Sequence, residues 1–211
     1  DNLVLRAVRA LADAAGKPAV GALRLEKRIP VAAGLGGGSA DAAAALRLMA
    51  RSWQLDWPLA RLAEIASELG ADVPACLHGS LQFGTGRGDQ LTPMQRHDLA
   101  GTPVLLVNPR VAVATGPVFR GWDGIDRGAL DPTAPLAVLR NDLAAPAIAL
   151  APVIATVIAA LEQQPGVTLV RMSGSGATVF ALFESEATRN RAAQQLAAQF
   201  PGWWLAGTAL R

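Results

Sequence analysis

Apolar residues recur at helical spacing at the start of the chain and then switch to alternation. The first pattern predicts an amphipathic helix whose shared face holds Leu3, Ala7, Val8, Leu11 and Ala15. Asp1 and Asn2 are suited to capping the start of this helix, and Gly16 is suited to ending it. Further on, alternation predicts a half-buried strand in which the apolar side is formed by Leu23, Leu25 and Ile29. Pro30 ends this predicted strand.

Two further helices and a turn-rich segment complete the first part of the chain. Ser39 is expected to cap an apolar helix that runs to about Trp53. Another helix begins near Pro58 and closes at Gly70. Residues 81–92 are rich in glycine and turn formers and predict a short β excursion. We therefore predict two domains, residues 1–90 and residues 91–211.

The second part of the chain alternates short apolar strands with longer helical patterns. Strands are predicted over residues 104–107, 168–172, 178–183 and 203–206, and helices over residues 141–161 and 187–200. The resulting order β, α, β, β, α, β is typical of a ferredoxin-like domain. The predicted fold class is α+β.

Composition excludes several classes of function. Half of the 211 residues (51%) are hydrophobic, but no apolar run reaches the roughly 18 residues of a membrane-spanning helix. The net charge is +2 and the basic residues are scattered, which argues against a nucleic-acid partner. The single cysteine, Cys76, cannot form an internal disulfide, and this favours a cytoplasmic location. His78 and His97 have no metal-ligand spacing, so we predict no protein-based metal site.

The richest chemical signal is a run of glycines between the predicted strand and the predicted helix. Residues 34–41 read Gly-Leu-Gly-Gly-Gly-Ser-Ala-Asp, which allows positive φ angles and a close backbone approach to a ligand. Unpaired N–H groups at a helix start favour a phosphate. Gly38 stands where a Walker loop has lysine, so this is not a P-loop. A plain flexible turn remains the alternative, and Ser39 could bind phosphate or Mg²⁺ or cap the helix.

A second candidate is Asp72, in the string Gly-Ala-Asp-Val-Pro at residues 70–74. In a kinase, a carboxylate near an acceptor hydroxyl orients that hydroxyl and takes its proton. The alternative is that Asp72 caps a short helix containing Pro74. The residues alone leave both interpretations open.

The glycine run and its flanks resemble the phosphate-binding motif of the GHMP kinases, Pro-x-x-x-Gly-Leu-Gly-Ser-Ser-Ala. The resemblance implies a GHMP kinase fold, with a partial nucleotide-binding domain and a ferredoxin-like C-terminal domain. It also implies ATP as cofactor together with Mg²⁺. The nucleotide-binding residues that it implies are Pro30, Val31, Ala32, Ala33, Gly34, Leu35, Gly36, Gly37, Gly38, Ser39 and Ala40. We expect Gly37→Val to abolish nucleotide binding, because valine disfavours positive φ and would fill the phosphate space.

The triple glycine and the string around Asp72 resemble one branch of this family, the kinases of the non-mevalonate (MEP) isoprenoid pathway. That branch implies phosphorylation of the 2-hydroxyl of 4-diphosphocytidyl-2-C-methyl-D-erythritol, with Asp72 as the catalytic residue. Residues 172–177 resemble the third motif, a glycine loop that packs close to the phosphate site. Thr115 lies where the family has a small polar residue near the substrate, and residues 140–143 are either a branch motif or a helix cap.

The chain departs from the family pattern at its start, where it opens at Asp1 without Met. The family begins with strands that carry a catalytic lysine and much of the acceptor-binding surface, and this chain does not contain them. Neither Lys17 nor Lys27 matches the N-terminal lysine motif of the family, although Lys27 could approach the nucleotide. We therefore expect a fragment that lacks kinase activity by itself. The alternatives are a GHMP kinase for another small alcohol and a non-catalytic nucleotide-binding remnant. A monomer and a homodimer both remain open.

Overall fold

The computed structural model describes residues Asn2 to Leu210 and divides into two compact units. The first unit contains the residues up to Arg28 together with Gly36–Arg96. The second contains Ile29–Leu35 together with the residues from His97 onward. The glycine loop, residues 30–40, therefore has its first half in one unit and its second half in the other. The domain boundary predicted between residues 90 and 91 stays a prediction.

The first unit is a group of four helices followed by a hairpin. Its elements are α1 (Leu3–Ala15), α2 (Gly37–Ser52), α3 (Leu59–Leu69), α4 (Asp72–His78), β1 (Gln82–Thr85) and β2 (Gln90–Pro93). Helix α2 packs against α1 and α4. Alanines on α2 allow these close contacts, and Leu11, Leu46 and Leu77 fill the core between the helices.

The predicted first helix is confirmed. Asn2 caps α1 by accepting a 2.9 Å hydrogen bond from the N–H of Val4. Gly16 ends the helix in the left-handed conformation, with φ of 60°. The part of the predicted cap that falls on Asp1 lies outside the described residues. The predicted β excursion is also present, as the antiparallel hairpin β1–β2.

The strand predicted over residues 23–29 is wrong for the described part of the chain, where these residues have neither strand nor helix structure. Leu23, Leu25 and Ile29 are 40%, 39% and 39% exposed, so the apolar side of the alternation is not buried. A strand requires a neighbour that pairs with its backbone, and β1 and β2 pair only with each other among the described residues. Alternation alone therefore does not make a strand here.

The predicted cap of α2 is also wrong in its position. The helix begins at Gly37, and Gly36 is its N-cap, so Ser39 lies within the first turn. Gly36 adopts a left-handed conformation with φ of 63° that turns the chain directly into the helix. The predicted helix end near Trp53 is confirmed, because the C-cap residue is Trp53.

The second unit is a four-stranded antiparallel sheet with helices packed on it. Its elements are β3 (Pro103–Asn108), α5 (Thr115–Arg120), α6 (Ala144–Leu150), α7 (Val153–Glu162), β4 (Val167–Met172), β5 (Val179–Phe183), α8 (Glu186–Gln199) and β6 (Trp204–Ala209). The strand order is β4-β5-β3-β6, which confirms the predicted ferredoxin-like arrangement. The predicted helix over residues 141–161 is instead two helices, α6 and α7, separated by Ala151 and Pro152.

The core of this unit lies between the sheet and the helices α7 and α8. Val107 pairs with Val179 and Leu105 pairs with Ala181 across the two central strands, and all four side chains are buried. Ile154, Val157 and Leu161 of α7 and Leu196 of α8 belong to the same buried cluster. The core fixes the ends of β3, β4 and β5, which lead into the polar loops described next.

Candidate nucleotide and catalytic site

The first half of the glycine loop is held by backbone and side-chain hydrogen bonds within the second unit. Ala33 is buried, and its carbonyl oxygen accepts a 3.2 Å hydrogen bond from the N–H of Thr178. The Ser173 hydroxyl donates a 2.8 Å hydrogen bond to the carbonyl oxygen of Gly34. These bonds fasten the loop to the end of β4 and the start of β5.

Glycine is required where this half of the loop meets residues 172–177, which we name the Ser-Gly loop. A Cβ atom on Gly34 would lie 2.5 Å from the carbonyl oxygen of Gly176 and 2.7 Å from that of Ser173. Gly34 also has a φ of 73°, in the region that favours glycine. A Cβ atom on Gly174 would lie 2.9 Å from the oxygen of Gly34. The Ser-Gly loop thus packs directly on the first half of the glycine loop.

A buried polar pair that the sequence analysis missed supports this packing. Asn108 and Thr178 are 2% and 0% exposed, and the Asn108 amide donates a 2.8 Å hydrogen bond to the Thr178 hydroxyl. The Asn108 side-chain oxygen accepts a 2.7 Å hydrogen bond from the N–H of Arg110. Because buried polar groups are stable only when paired, this pair fixes the residue that binds Ala33. A polar residue at the end of the apolar strand β3 is the signal that could have revealed it.

Two residues that the sequence analysis named also contact the Ser-Gly loop. The hydroxyl oxygens of Thr115 and Ser175 lie 3.0 Å apart. The Asn141 amide nitrogen donates hydrogen bonds of 2.9 Å to the oxygen of Met172 and 2.8 Å to that of Gly174. The side-chain oxygen of Asn141 accepts a 3.0 Å hydrogen bond from the N–H of Leu143, the N-cap residue of α6, so residues 140–143 form the start of that helix as the helix-cap interpretation predicts, and Asn141 also supports the loop.

The second half of the glycine loop forms the start of α2 in the first unit. Ala40 donates its N–H to the oxygen of Gly36, as in a regular helix. The N–H groups of Gly37, Gly38 and Ser39 precede this bond and have no acceptor among residues 2–210. Cβ atoms built on Gly36, Gly37 or Gly38 would meet no atom within 4 Å. Unpaired donors therefore lie at the positive end of a helix whose first residues carry no side chains that would crowd them, an arrangement that binds anions.

The conformations within the glycine run differ from those expected. Gly34 and Gly36 have positive φ, as does Ala32 with φ of 56°, but Gly37 and Gly38 do not. A positive φ therefore does not exclude valine at position 37, and this reason for the Gly37→Val prediction is wrong. A Cβ atom at position 37 would meet nothing within 4 Å in the protein itself, so the loss of nucleotide binding in Gly37→Val stays a prediction.

The two lysines near this region have defined partners. The Lys27 ammonium forms an ion pair with the Asp41 carboxylate in the second turn of α2. Lys27 is thereby held beside the second half of the glycine loop. Lys17 donates a 3.0 Å hydrogen bond to the oxygen of Trp53, at the other end of α2. Among the two, only Lys27 lies next to the helix start.

Asp72 is the first residue of α4 and is exposed to solvent. The N-cap residue is Ala71, and no side-chain capping bond forms, so the alternative role of Asp72 as an N-cap is wrong. Its carboxylate has no hydrogen-bond or ion-pair partner among the described residues. Burial raises the pKa of the Cys76 thiol one turn later, the Asp72 carboxylate raises this pKa further, and Arg47 lowers it. Asp72 is therefore available to an external partner.

Metal clusters and membrane-spanning helices are both absent from residues 2–210. No group of three or more His, Cys, Asp or Glu side chains is arranged to hold a metal ion. None of the helices in the same range combines the length and the apolar character that crossing a membrane requires.

Comparison with known proteins first defines the class. The sequence model of the GHMP kinases N terminal domain matches residues 2–80, and that of the GHMP kinases C terminal domain matches residues 124–202. The glycine loop lies within the first match, and the strands β4 and β5 lie within the second. The chain therefore has the two domains of a GHMP kinase, a class of enzymes that use ATP.

More specific relatives narrow this class to one family. The chain is 54% identical to the 4-diphosphocytidyl-2-C-methyl-D-erythritol kinase of Rhizorhabdus wittichii, over 100% of the chain and 73% of the relative. It is 51% identical to the kinase of the same name from Novosphingobium aromaticivorans, over 100% of the chain and 70% of the relative. A crystal structure of 4-(cytidine 5'-diphospho)-2C-methyl-D-erythritol kinase superposes with a TM-score of 0.82 at 34% identity, covering 100% of the chain and 79% of that structure. The chain belongs to the 4-diphosphocytidyl-2-C-methyl-D-erythritol kinase family.

Proposed function

We propose that the chain is the larger part of an ATP-dependent kinase that phosphorylates the 2-hydroxyl of 4-diphosphocytidyl-2-C-methyl-D-erythritol in the MEP pathway. The observation that carries this proposal is the pairing, within one compact unit, of an open helix start with an exposed, unpartnered carboxylate at Asp72. A kinase needs both groups, one for the phosphate donor and one for the acceptor hydroxyl. The identity of about half of all positions to kinases of that name supports the choice of substrate.

The phosphates of ATP are proposed to bind residues 30–40. The unpaired N–H groups of Gly37, Gly38 and Ser39 supply donors to phosphate oxygens, and the absence of side chains at the two glycines leaves room for them. Within the second unit, the backbone of Ala33 and Gly34 is held by hydrogen bonds to Thr178 and Ser173, which orders the first half of the loop.

Mg²⁺ is proposed to accompany the nucleotide. This ion keeps several waters and takes one or two protein oxygens beside the phosphates, so the lack of a protein cluster of ligands is compatible with its binding. The Ser39 hydroxyl has no partner among the described residues and lies in the first turn of α2, which makes it the candidate protein ligand. Bound Mg²⁺ would neutralise charge on the transferred phosphate.

Asp72 is proposed to orient the acceptor hydroxyl and to accept its proton as phosphoryl transfer proceeds. A base must reach its substrate, and Asp72 is exposed with no internal partner that would have to be displaced first. Its position at the start of α4 is held by Val73 and Leu77, which are 0% and 2% exposed.

The other functions considered fit less well. A GHMP kinase for a different small alcohol does not account for identity of 54% and 51% over the whole chain to kinases of one named substrate. A non-catalytic remnant would have no reason to keep both the open helix start and the free carboxylate. A cytoplasmic location is proposed from the single cysteine, which is unpaired.

The proposed function is tested with Asp72→Asn in the complete protein. Asparagine keeps the size of the side chain but removes the charge and the basic oxygen, so kcat should fall by roughly 10²–10⁴. ATP affinity and melting temperature should change little, because no internal bond is lost and a first-turn charge contributes only about 0.3–1 kcal/mol. Turnover is measured with 4-diphosphocytidyl-2-C-methyl-D-erythritol, homoserine and mevalonate as acceptors.

The matched control is Asp56→Asn, an equivalent change at an exposed position between α2 and α3. Its kcat should equal that of the unmodified protein. Near-normal kcat in Asp72→Asn would remove Asp72 from catalysis. Preferred turnover of homoserine or mevalonate would refute the proposed substrate.

A further inference from the structure

Arg47 is an arginine on a helix whose neighbouring positions are almost all apolar. It lies on α2, where Ala43, Leu46 and Ala50 are buried in the core of the first unit. The Arg47 side chain is half-buried, and one of its terminal nitrogens, Nη1, donates two hydrogen bonds. The acceptors are the carbonyl oxygens of Cys76 at 3.1 Å and Leu77 at 2.9 Å.

These two carbonyls belong to the last turn of α4. Carbonyl groups in the last turn of a helix have no N–H partner within that helix. Helix α4 has 7 residues, and helices this short are not stable by themselves in water. Apart from the burial of Val73, Pro74 and Leu77, α4 depends on contacts from outside for its position. A guanidinium at the C-terminus of a helix also interacts favourably with the helix dipole.

The two helices joined in this way carry the two halves of the proposed chemistry. Helix α2 begins with the unpaired N–H groups that are proposed to bind the ATP phosphates, and α4 begins with Asp72. We propose that Arg47 is a positioning residue that holds Asp72 in register with the phosphate-binding start of α2. This inference rests on the proposed function of Asp72. Arg47 has its effect through α4, whose last carbonyl groups it binds.

The magnitude of the effect follows from the sensitivity of phosphoryl transfer to position. A displacement of about 1 Å can lower a rate by roughly 10²-fold. Loss of both hydrogen bonds in Arg47→Met, with most of the aliphatic stem retained, should lower kcat by about ten- to a hundredfold. The KM for ATP should change by less than about twofold, since the start of α2 is untouched. Arg47→Lys keeps a cationic donor and should recover most of the lost kcat.

The experiment compares Arg47→Met, Arg47→Lys and a control variant in the complete protein. The control is Arg51→Met, the same change one turn later on α2, where the side chain is exposed and has no bond to α4. Its kcat should stay normal. Activities are measured at a temperature where circular dichroism shows each variant to be folded. Unchanged kcat in Arg47→Met would overturn the inference, as would a loss that Arg47→Lys does not relieve.

A double-mutant cycle with Asp72→Asn separates positioning from a general structural role. If Arg47 works through Asp72, adding Arg47→Met to Asp72→Asn should lower kcat by no more than about twofold. Suppose that Asp72→Asn lowers kcat and that adding Arg47→Met lowers kcat by a further ten- to hundredfold. This result would refute the positioning role of Arg47 and leave the proposed function of Asp72 intact. Normal kcat in Asp72→Asn by itself would instead refute the proposed function. The two failures are therefore distinguishable.

Discussion

Replacing Gly37 with alanine should stabilise the protein and weaken ATP binding at the same time. Gly37 is the first residue of α2, has no positive φ, and would carry a Cβ atom that meets nothing within 4 Å. Alanine is therefore compatible with the fold at this position. It reduces the conformational freedom of the unfolded chain and raises the free energy of unfolding by about 0.4–1 kcal/mol.

The same methyl group is carried by a residue whose own N–H is proposed to bind a phosphate oxygen. Its expected effect is to displace a phosphate oxygen from one backbone N–H group. A hydrogen bond to a charged group contributes about 1.5–3 kcal/mol, so ATP affinity should fall roughly ten- to a hundredfold. The methyl group therefore raises the stability of the free protein, where its space is empty, and lowers the affinity for ATP, whose phosphates are proposed to need that space.

Both quantities are measurable with the complete protein. Thermal unfolding without nucleotide should show a melting temperature about 1–4 °C higher, from the usual relation for chains of this size. Titration calorimetry with ATP and Mg²⁺ gives the affinity. Gly202→Ala serves as the control, since a Cβ atom there also meets nothing within 4 Å and the position has no positive φ. An unchanged ATP affinity in Gly37→Ala would show that the phosphates do not lie in front of α2.

Two further outcomes are expected. Gly34→Ala should unfold at a markedly lower temperature, by several degrees, because its Cβ would clash with two backbone carbonyls of the Ser-Gly loop and its φ is 73°; a melting temperature equal to that of the unmodified protein would contradict the described packing. Asp72→Asn should lower the pKa of Cys76 and so speed its alkylation near pH 8, because the Asp72 carboxylate raises that pKa and only the thiolate reacts. The rate is followed by mass spectrometry of the Cys76 peptide, with Asp89→Asn as control, and an equal or slower rate would contradict the described proximity.

The parts of the fold that the sequence predicted are those determined by nearby residues. Helix α1 follows from its own spacing and from caps at Asn2 and Gly16. The strands of the second unit are apolar enough to be recognised one by one. The strand predicted over residues 23–29 failed because alternation describes only one side of a pairing. The sequence of residues 23–29 does not indicate whether a second strand is present to pair with them.

The same reasoning explains which features of the site were missed. The glycine loop and Asp72 can be recognised in the sequence because each lies in a short motif. Their roles in binding and catalysis stay predictions. Asn108 and Thr178 are 70 residues apart in the chain, and Arg47 is separated from its acceptors by 29 and 30. An arginine within an apolar helix and an asparagine at the end of an apolar strand are detectable anomalies. Their partners become known only when the chain is folded.

The hydrogen bond between Ser173 and Gly34 spans 139 residues, and this separation sets an order of events during synthesis. Residues 29–35 leave the ribosome well before Ser173 and Thr178, the residues that bind the backbone of Gly34 and Ala33. At about 5–20 residues per second, this interval lasts roughly 7–28 s. During that time the first half of the glycine loop lacks its hydrogen bonds to Ser173 and Thr178. The first half of the glycine loop therefore acquires these bonds only after the Ser-Gly loop has been made.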